Sequence, residues 1–307
     1  MALLDARCTS CGAALKVNGG LDAANCEHCG AAFIVEKAVQ NFYGNVQMQN
    51  ATTQNHAPSD FVIRGGVLLK YKGAATVVTV PDGVVAIGAI GSNDYRGAFQ
   101  ECSQVIKITL PDSVQTIGSS AFYECKSLRD INIPNGVTTI GYRAFRDCEG
   151  LTKIVFPYGL KEISTSAFVN CVSLKKIALP HGLKEIGDSA FNDCKNLVDV
   201  LLPNSLKTIG SHAFSNCIGL KSITIPDSVV EIQISAFGGC KNLGVVNKQK
   251  DYTCSHYDKL LSSFEGTPWA TQDPMSRKLR WKYDGMCIYC GSSKNIFGKC
   301  KKCGKRS

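Results

Sequence analysis

Apolar residues recur along the middle of the chain with a period of 23 residues. Phenylalanine marks one column of this repeat, with an alanine before each phenylalanine and a cysteine three residues after it. The phenylalanines are Phe99, Phe122, Phe145, Phe168, Phe191, Phe214 and Phe237, and the cysteines are Cys102, Cys125, Cys148, Cys171, Cys194, Cys217 and Cys240. Three columns that stay in register through seven copies indicate a repeat architecture.

Within one copy, residues 217–237, the pattern predicts a short strand, a turn and a second apolar segment. Ile223 and Ile225 alternate with polar residues, the period of a strand with one buried face. Residues 226–228, Pro-Asp-Ser, predict a turn because proline presets φ and small polar residues suit a tight bend. The second apolar segment, 229–232, then leads to the Ala-Phe pair on the opposite side of the coil.

A single copy forms a coil only one layer thick, which cannot bury its apolar side chains alone. We therefore predict that the copies stack into a solenoid. The short strands then form a parallel sheet with a spacing of about 4.8 Å, and each phenylalanine lies above the next. The first copy is longer between Pro81 and Phe99, as expected for a cap, and residues 61–84 alternate like strands that cover it. The sequence FEGTPW, starting at Phe264, is interpreted as a degenerate last copy.

A glycine follows the second isoleucine in most copies, and we predict a turn with positive φ there. Ser164 and Gln233 occupy this position in two copies, which indicates that positive φ is not strictly required. The glycines are Gly118, Gly141, Gly187 and Gly210.

The full pattern, L-x-x-I-x-I-P-x-x-V-x-x-I-G-x-x-A-F-x-x-C, closely resembles the BspA-like leucine-rich repeats of bacteria and some protists. The resemblance extends over roughly residues 60–270. It implies a right-handed, gently curved solenoid with short parallel strands and surfaces for binding. Many members of that family are cell-surface or secreted proteins, so an adhesin-like role after non-classical export is one alternative.

The seven cysteines of the repeat have two interpretations. Stacking places neighbouring Cα atoms about 5 Å apart, near enough for disulfides, a metal ladder or a redox array. Small thiols also suit a crowded buried position next to backbone. Because seven is an odd number, the column cannot be fully paired. We therefore predict that these cysteines pack as buried free thiols.

Two further groups of cysteines flank the repeats, and each consists of two C-x-x-C-G units. Such units place two sulfurs on one side of a tight turn, and two of them form a closed tetrahedral zinc site. Both groups resemble zinc ribbons, with iron as the lesser possibility. Four thiolates leave no open metal position for catalysis. The predicted ligands are Cys8, Cys11, Cys26 and Cys29 in the first group and Cys287, Cys290, Cys300 and Cys303 in the second.

These features divide the chain into four regions. Residues 1–36 are a zinc-ribbon-like module, and residues 37–59 are an Asn- and Gln-rich stretch interpreted as a flexible tether, or alternatively as an ordered strand cap. Residues 60–271 are the leucine-rich repeat solenoid of seven regular copies and caps. Residues 272–307 form a second, basic zinc-ribbon-like module.

The two zinc-ribbon-like modules differ in charge. The chain has a net charge of +9, and residues 273–307 contain ten Lys or Arg and two Asp, a net of +8. This basic module, with interleaved aromatic residues, predicts a possible nucleic-acid contact. The first module has an excess of acidic residues, and a zinc bound by four thiolates adds negative charge, which disfavours phosphate binding.

The remaining signals favour a non-enzymatic protein. No histidine is paired with a nucleophile in a known catalytic pattern, and no phosphate-binding glycine loop is present. We find no signal peptide in MALLDARCTSCG and no apolar stretch long enough for a transmembrane helix. Together with the paired C-x-x-C units, this predicts a cytoplasmic location without membrane insertion.

The predicted function is protein–protein interaction or scaffolding through the repeat surface. Outward strand positions form two columns, and one of them contains an apolar stretch at Val155, Ala178 and Leu201. Lys153 and Lys176 lie in the other column. Because exposed apolar patches on a rigid surface mark contact sites, we predict that a protein partner docks there. The alternative is a nucleic-acid-associated protein that binds through the basic C-terminal module.

Overall fold

The structure is a computed structural model that describes residues 60–88, 97–248 and 262–269, and the backbone of four strands near the N-terminus. Those four strands form two antiparallel hairpins. The first pairs β1 (Leu3–Arg7) with β2 (Ala14–Asn18), and the second pairs β3 (Ala23–Asn25) with β4 (Ala32–Ile34).

The described residues between 60 and 269 form a solenoid of about eight turns, as the repeat pattern predicts. We number the coils 1 to 8 by the phenylalanine near the end of each: Phe99, Phe122, Phe145, Phe168, Phe191, Phe214, Phe237 and Phe264. All eight phenylalanines are fully buried. The parallel-strand architecture predicted from the sequence is therefore confirmed.

Strands on the I-x-I side of the coils, here called face A, form three separate parallel groups. Their order is β11-β9-β7, then β14-β16, then β18-β20. Coil 4 contributes no strand to this face. The strands are β7 (Val77–Thr79), β9 (Lys107–Thr109), β11 (Asp130–Ile131), β14 (Lys176–Ala178), β16 (Asp199–Leu201), β18 (Ser222–Ile225) and β20 (Val245–Lys248).

The longer sheet lies on the other side, face B, where the sequence predicts only an apolar segment. Its nine strands have the order β19-β17-β15-β13-β12-β10-β8-β6-β5 and are parallel except for the β5–β6 pair. They are β5 (Phe61–Arg64), β6 (Val67–Tyr71), β8 (Ala86–Ile87), β10 (Thr116–Ile117), β12 (Thr139–Ile140), β13 (Glu162–Ile163), β15 (Glu185–Ile186), β17 (Thr208–Ile209) and β19 (Glu231–Ile232). Most have two residues, too few for sequence alternation to reveal a strand.

The predicted proline turn connects face A to face B. In coil 7 the N–H of Val229 donates a hydrogen bond of 3.1 Å to the carbonyl of Pro226, which closes a four-residue turn. Coils 2 to 6 have the same bond from the residue three positions after their proline. The turn chemistry inferred from the sequence is therefore confirmed.

The phenylalanine rings form one column through the core. Successive ring centroids from Phe99 to Phe264 lie 4.6–5.4 Å apart. Tyr71 packs on Phe99 at one end, and Trp269 packs on Phe264 at the other. Both predicted caps are thus confirmed, because β5–β6 covers coil 1 and the FEGTPW segment supplies coil 8.

The four glycines after the second isoleucine do not have the positive φ that we predict for them. Gly141, Gly187 and Gly210 instead allow close approach between coils. A Cβ on Gly187 would lie 2.7 Å from the carbonyl carbon of Ser164 and the backbone nitrogen of Thr165. Only the equivalent Gly88 of coil 1, with φ of 82°, fits the prediction.

Positive φ occurs instead on either side of the phenylalanine. The residue two before it, such as Ser166 with φ of 59°, and the residue two after it, such as Asn170 with φ of 60°, are left-handed in most coils. Asparagine and aspartate tolerate this region better than most residues, and several coils carry them at the second position.

Several predictions concern residues outside the described part of the chain. They include the tether at 37–59 and the C-terminal module at 272–307. Among the residues that are described, no helix has the length and apolar character needed to cross a membrane.

Candidate partner-binding surface

Face A places the predicted apolar column at the surface. The side chains of Val155 and Leu201 are 48% and 41% exposed, large fractions for aliphatic residues in a tightly packed array. Ala178 lies between them and is half-buried, and its Cα is the register partner of that of Leu201. The structure therefore brings the three residues together across coils 4 to 6.

Other members of the same column are polar, and one of them supports its neighbouring coil. The side-chain oxygen of Asn132 accepts a hydrogen bond from the N–H of Leu110 at 2.7 Å, and its amide nitrogen donates one to the carbonyl of Leu110 at 2.8 Å. Thr109 and Thr224 complete the flanks of the column. The apolar stretch thus has polar borders on both sides.

Lys153 and Lys176, the predicted basic residues beside the patch, take part in ion pairs between coils. The Lys153 ammonium is 3.8 Å from a carboxylate oxygen of Asp130, and that of Lys176 is 2.9 Å from one of Asp199. The side chains are 30–46% exposed, so solvent screens these pairs and each contributes little to stability. Their effect is to hold the lysine stems along the rim of the patch.

Coil 4 is where the face A sheet is interrupted. Its residue before the proline is Phe156, where the other coils with this proline carry leucine, isoleucine or, in coil 1, Val80. The Phe156 ring is buried and packs edge-on against Phe168 and Phe191, with centroids 5.6 and 6.4 Å away. Residues 153–156 form no strand, and we attribute this to the larger ring. Val155 lies within this interruption.

Two further apolar residues belong to this surface and are not identified by the sequence analysis. Tyr158, 62% exposed, lies in the turn after Pro157, where the other regular coils carry Asp, Asn or His. Val198, 40% exposed, precedes β16 in a column that also contains Arg129, Lys175 and Lys221. Comparison of these columns would have revealed both residues. We call Val155, Tyr158, Ala178, Val198 and Leu201 the apolar patch.

His181 occupies the turn of coil 5, between the turns that carry Tyr158 and Asn204. Partial burial lowers the pKa of His181 below its ordinary value of 6.5. Desolvation disfavours the charged imidazolium, so this side chain is neutral near pH 7. The charge beside the apolar patch therefore comes from lysine and aspartate.

The cysteine column is buried and reduced, as the packing interpretation predicts. Six of its seven members are fully buried, and Cys102 at the N-terminal end is half-buried. Each buried thiol donates a hydrogen bond of 3.0–3.3 Å to the carbonyl of the phenylalanine one coil earlier. Burial raises the pKa of Cys102 to about 11 and that of Cys194 to about 12. These thiols are poor nucleophiles near pH 7.

The described part of the solenoid gives no support for a metal-binding site. In residues 60–88, 97–248 and 262–269, no group of three His, Cys, Asp or Glu side chains is placed to hold a metal ion. The eight predicted zinc ligands, from Cys8 to Cys29 and from Cys287 to Cys303, lie outside the described residues.

Comparison with solved structures identifies several similar solenoids. A leucine-rich repeat protein from Bacteroides ovatus is 32% identical, with a TM-score of 0.53, over 66% of this chain and 53% of that one. A leucine rich repeat protein of T. pallidum is 28% identical, with a TM-score of 0.57, over 70% of this chain and 99% of that one. A leucine rich cell surface protein from Faecalibacterium prausnitzii is 27% identical, with a TM-score of 0.52, over 66% and 56%.

The chain therefore spans about half the length of the Bacteroides and Faecalibacterium proteins and nearly all of the T. pallidum protein. No match is found among curated proteins. The sequence profile described as a BspA type leucine rich repeat region of six copies matches residues 90–218 and 117–244, which together cover half of the chain. The chain belongs to the BspA type leucine-rich repeat family.

Proposed function

We propose that this chain is a non-enzymatic binding protein whose solenoid docks a protein partner on face A. The observation that carries the proposal is the apolar patch, which exposes four large apolar side chains on coils 4 and 6, with Ala178 of coil 5 between them. Leucine-rich repeat proteins generally mediate protein–protein interactions, and membership of this family supports the proposal.

The patch has the properties of an interface core. Its side chains project from a stack in which each coil is held by hydrogen bonds to the next, so little conformational freedom is lost on binding. Aromatic residues near the centre of an interface contribute much of its binding energy, and Tyr158 is the most exposed side chain of the patch. Lysines and Asp199 supply a polar rim.

A direct test uses Leu201→Glu in the full chain, with Thr224→Glu as the matched control. Both residues are exposed and belong to the same outward column, but Thr224 lies outside the patch in coil 7. Proteins cross-linked to each variant in cells of the source organism are identified by mass spectrometry. We expect Leu201→Glu to lose partners that Thr224→Glu retains. Identical partners, with unchanged thermal unfolding, would show that face A is not the docking surface.

We further propose that the eight terminal cysteines bind two structural zinc ions. The described backbone supports this for the first group: Cys8 and Cys11 lie between the paired strands β1 and β2, and Cys26 and Cys29 lie between β3 and β4. Two hairpins with a C-x-x-C unit in each connection match the arrangement of a zinc ribbon. Structural zinc in such small modules contributes about 10–16 kcal/mol to folding at neutral pH.

Metal analysis of the purified full chain tests the zinc proposal. We expect two zinc ions per chain, one after Cys26→Ser or Cys300→Ser, and none after both substitutions. Cys171→Ser, in the buried column, is the control and retains both. Iron in place of zinc gives a visible absorption band and assigns rubredoxin-like centres, whereas a metal-free native chain overturns the proposal.

Nucleic-acid binding through residues 272–307 is the second candidate function, and it depends on the net charge of +8 at residues 273–307. Removal of the residues after Ala270 tests it, with salt-dependent binding to RNA and DNA as the measurement. If this module binds nucleic acid, the truncated chain no longer binds RNA or DNA. The decrease in affinity with rising salt concentration then disappears as well. Binding that survives truncation would assign any contact to another region.

A cytoplasmic location is proposed because reduced, paired cysteines are typical of a reducing compartment. The resemblance to a leucine rich cell surface protein at 27% identity supports a surface location as the alternative. Treatment of intact cells with an impermeant biotin reagent separates the two. An unlabelled chain favours the cytoplasm, and a labelled one favours a surface protein exported by a non-classical route.

A further inference from the structure

We propose that Asn135, in the proline turn of coil 3, is a site of slow covalent modification. Its side-chain amide cyclises onto the backbone nitrogen of Gly136, and the ring then opens in water to isoaspartate or aspartate. This site is separate from the apolar patch and does not depend on a binding partner.

The Asn-Gly pair lies at the exposed end of a tight turn. The turn runs from Pro134 to Val137 and is closed by a hydrogen bond of 3.0 Å from the N–H of Val137 to the carbonyl of Pro134. Asn135 and Gly136 are its two central residues, and both are exposed. Neither the Asn135 side chain nor the N–H of Gly136 donates a hydrogen bond to any residue that the structure describes. The attacking nitrogen and the amide are therefore adjacent, accessible to water and without such a competing bond.

Glycine at position 136 makes ring closure accessible. Without a Cβ, its nitrogen can approach the side-chain carbonyl carbon of the preceding residue with little steric hindrance, and its backbone rotates more freely than that of other residues. In residues 60–88, 97–248 and 262–269, Asn135 is the only asparagine followed by glycine. Coil 6 has Asn204 followed by Ser205 at the same turn position, which provides an internal comparison.

A contact that holds other turns in place is absent from coil 3. Ser113 in coil 2 and Ser205 in coil 6 each donate a hydrogen bond, of 2.7 and 2.8 Å, to a carbonyl of the preceding coil. The equivalent acceptor for coil 3 is the carbonyl oxygen of Val114, which would lie 3.1 Å from a Cβ on Gly136. Because glycine has no hydroxyl to make this bond, the turn of coil 3 is held less firmly than those of coils 2 and 6.

The reaction consumes only water. The nitrogen of Gly136 loses its proton and forms a bond with Cγ of Asn135, while the bond from Cγ to the side-chain nitrogen breaks and ammonia leaves with that proton. Water then opens the five-membered succinimide. Cleavage of the bond from the ring nitrogen to Cγ gives aspartate. Cleavage at the backbone carbonyl carbon gives isoaspartate, whose main chain passes through Cβ and Cγ.

The two products should affect the fold differently. Aspartate fits the turn, because Asp112 and Asp227 occupy the same position in coils 2 and 7. Isoaspartate adds one carbon to the main chain between Pro134 and Val137. The hydrogen bond that closes the turn is then lost, and the fully buried side chain of Val137 has to shift. The isoaspartate form should therefore be the less stable of the two.

Incubation of the full chain at physiological temperature, in neutral and mildly alkaline buffer, tests the site. Peptide mass spectrometry measures conversion of amide to acid at each asparagine. An isoaspartyl carboxyl methyltransferase with labelled S-adenosylmethionine measures the isoaspartate formed. We expect both signals at Asn135, several-fold faster than at Asn204. The rate should rise with pH, because the deprotonated nitrogen is the nucleophile.

Two reciprocal variants separate the effect of glycine from that of the surroundings. Gly136→Ser gives coil 3 the serine that coils 2 and 6 already carry, so it should fold normally and slow the modification of Asn135 several-fold. Ser205→Gly makes the converse change and should accelerate modification of Asn204. Thermal unfolding of both variants checks that the solenoid is intact.

A synthetic peptide of residues 131–140 gives the rate of the Asn-Gly pair without the fold. If the native chain is unchanged after this peptide has been converted, the turn protects Asn135 and the proposal is wrong. Equal rates at Asn135 and Asn204 would also overturn it, as would a rate at Asn135 that Gly136→Ser leaves unchanged.

Discussion

The sulfur of Cys148 lies 3.1 Å from the carbonyl oxygen of Phe122, one coil earlier in the stack. That carbonyl also accepts a hydrogen bond from the N–H of Cys125, at 3.1 Å. The cysteine column therefore links consecutive coils beside the phenylalanine column. This arrangement explains why cysteine recurs there: a larger residue would not fit, and the thiol proton satisfies a buried carbonyl.

The buried cysteines should resist alkylation in the native protein. Cys125 and the five cysteines after it in the column are inaccessible, and burial raises the pKa of most of them. Because the thiolate is the reactive form, Cys102, with a pKa of about 11, should label about ten times faster for each unit of pH between 8 and 10. Mass spectrometry after iodoacetamide treatment, under native and denaturing conditions, measures this. Rapid native labelling of Cys171 at pH 7 would contradict the packing of the column.

Stability should fall at alkaline pH. The folded-state pKa values of these thiols lie above the unfolded value of about 8.5, so the native state holds protons that the unfolded state releases. Their contribution is complete below pH 8.5 and decreases as pH rises toward the folded values. Each thiol changes the free energy of unfolding by up to about 1.4 kcal/mol per pH unit.

Urea unfolding at pH 8 to 10 measures this slope, and Cys171→Ala is the matched variant. It should be less stable at pH 7 because it loses a buried hydrogen bond, but its stability should depend less steeply on pH. Equal slopes for the two proteins would indicate that Cys171 does not titrate differently in the folded and unfolded chains.

Gly187→Ala should destabilise the solenoid by about 1–3 kcal/mol, since the added methyl group would meet backbone atoms of coil 4 at 2.7–2.8 Å. Gly244→Ala is the control, because a Cβ there would have nothing within 4 Å. That variant should be neutral or slightly more stable, since alanine restricts the unfolded chain. Thermal unfolding followed by circular dichroism compares the two. Equal melting temperatures would contradict the role of Gly187 in close packing.

Trp269→Ala should loosen the C-terminal end of the stack and leave the other end unchanged. The Trp269 ring covers Phe264, with ring centroids 4.8 Å apart, and this contact is lost in the variant, whereas the backbone N–H of residue 269, which donates to the carbonyl of Leu243 at 2.9 Å, is retained. In a solenoid each coil interacts mainly with its neighbours, so the effect should decrease along the stack. Hydrogen exchange should increase in coils 7 and 8 and remain at its wild-type rate in coils 1 to 3. Uniformly faster exchange would indicate a single cooperative unit instead.

The repeat pattern was sufficient to predict several features of the fold. The spacing of Phe145, Phe168 and Phe191 predicted the aromatic column because equal spacing in stacked coils places equivalent residues above one another. Proline before a small polar residue predicted the turn, since both restrict the backbone locally. The degenerate FEGTPW copy predicted the position of Phe264 for the same reason as the regular copies.

Other features depend on contacts between coils, which no single copy reveals. Strands such as β13 contain two residues, and only pairing with both neighbours defines them as strands. The requirement for glycine at position 187 arises from the backbone of coil 4, which is distant in sequence. The interruption of face A follows from the packing of Phe156 against two rings of the core.

The sequence by itself determined the period, the buried columns, the turns and the outward positions of Val155 and Leu201, because each is set by local spacing. The tertiary structure decided which side chains share a surface. Tyr158 and Val198 join the patch because stacking brings coils 4 and 6 to either side of coil 5. Lys153 and Lys176 lie at its rim because ion pairs with the neighbouring coils hold them there.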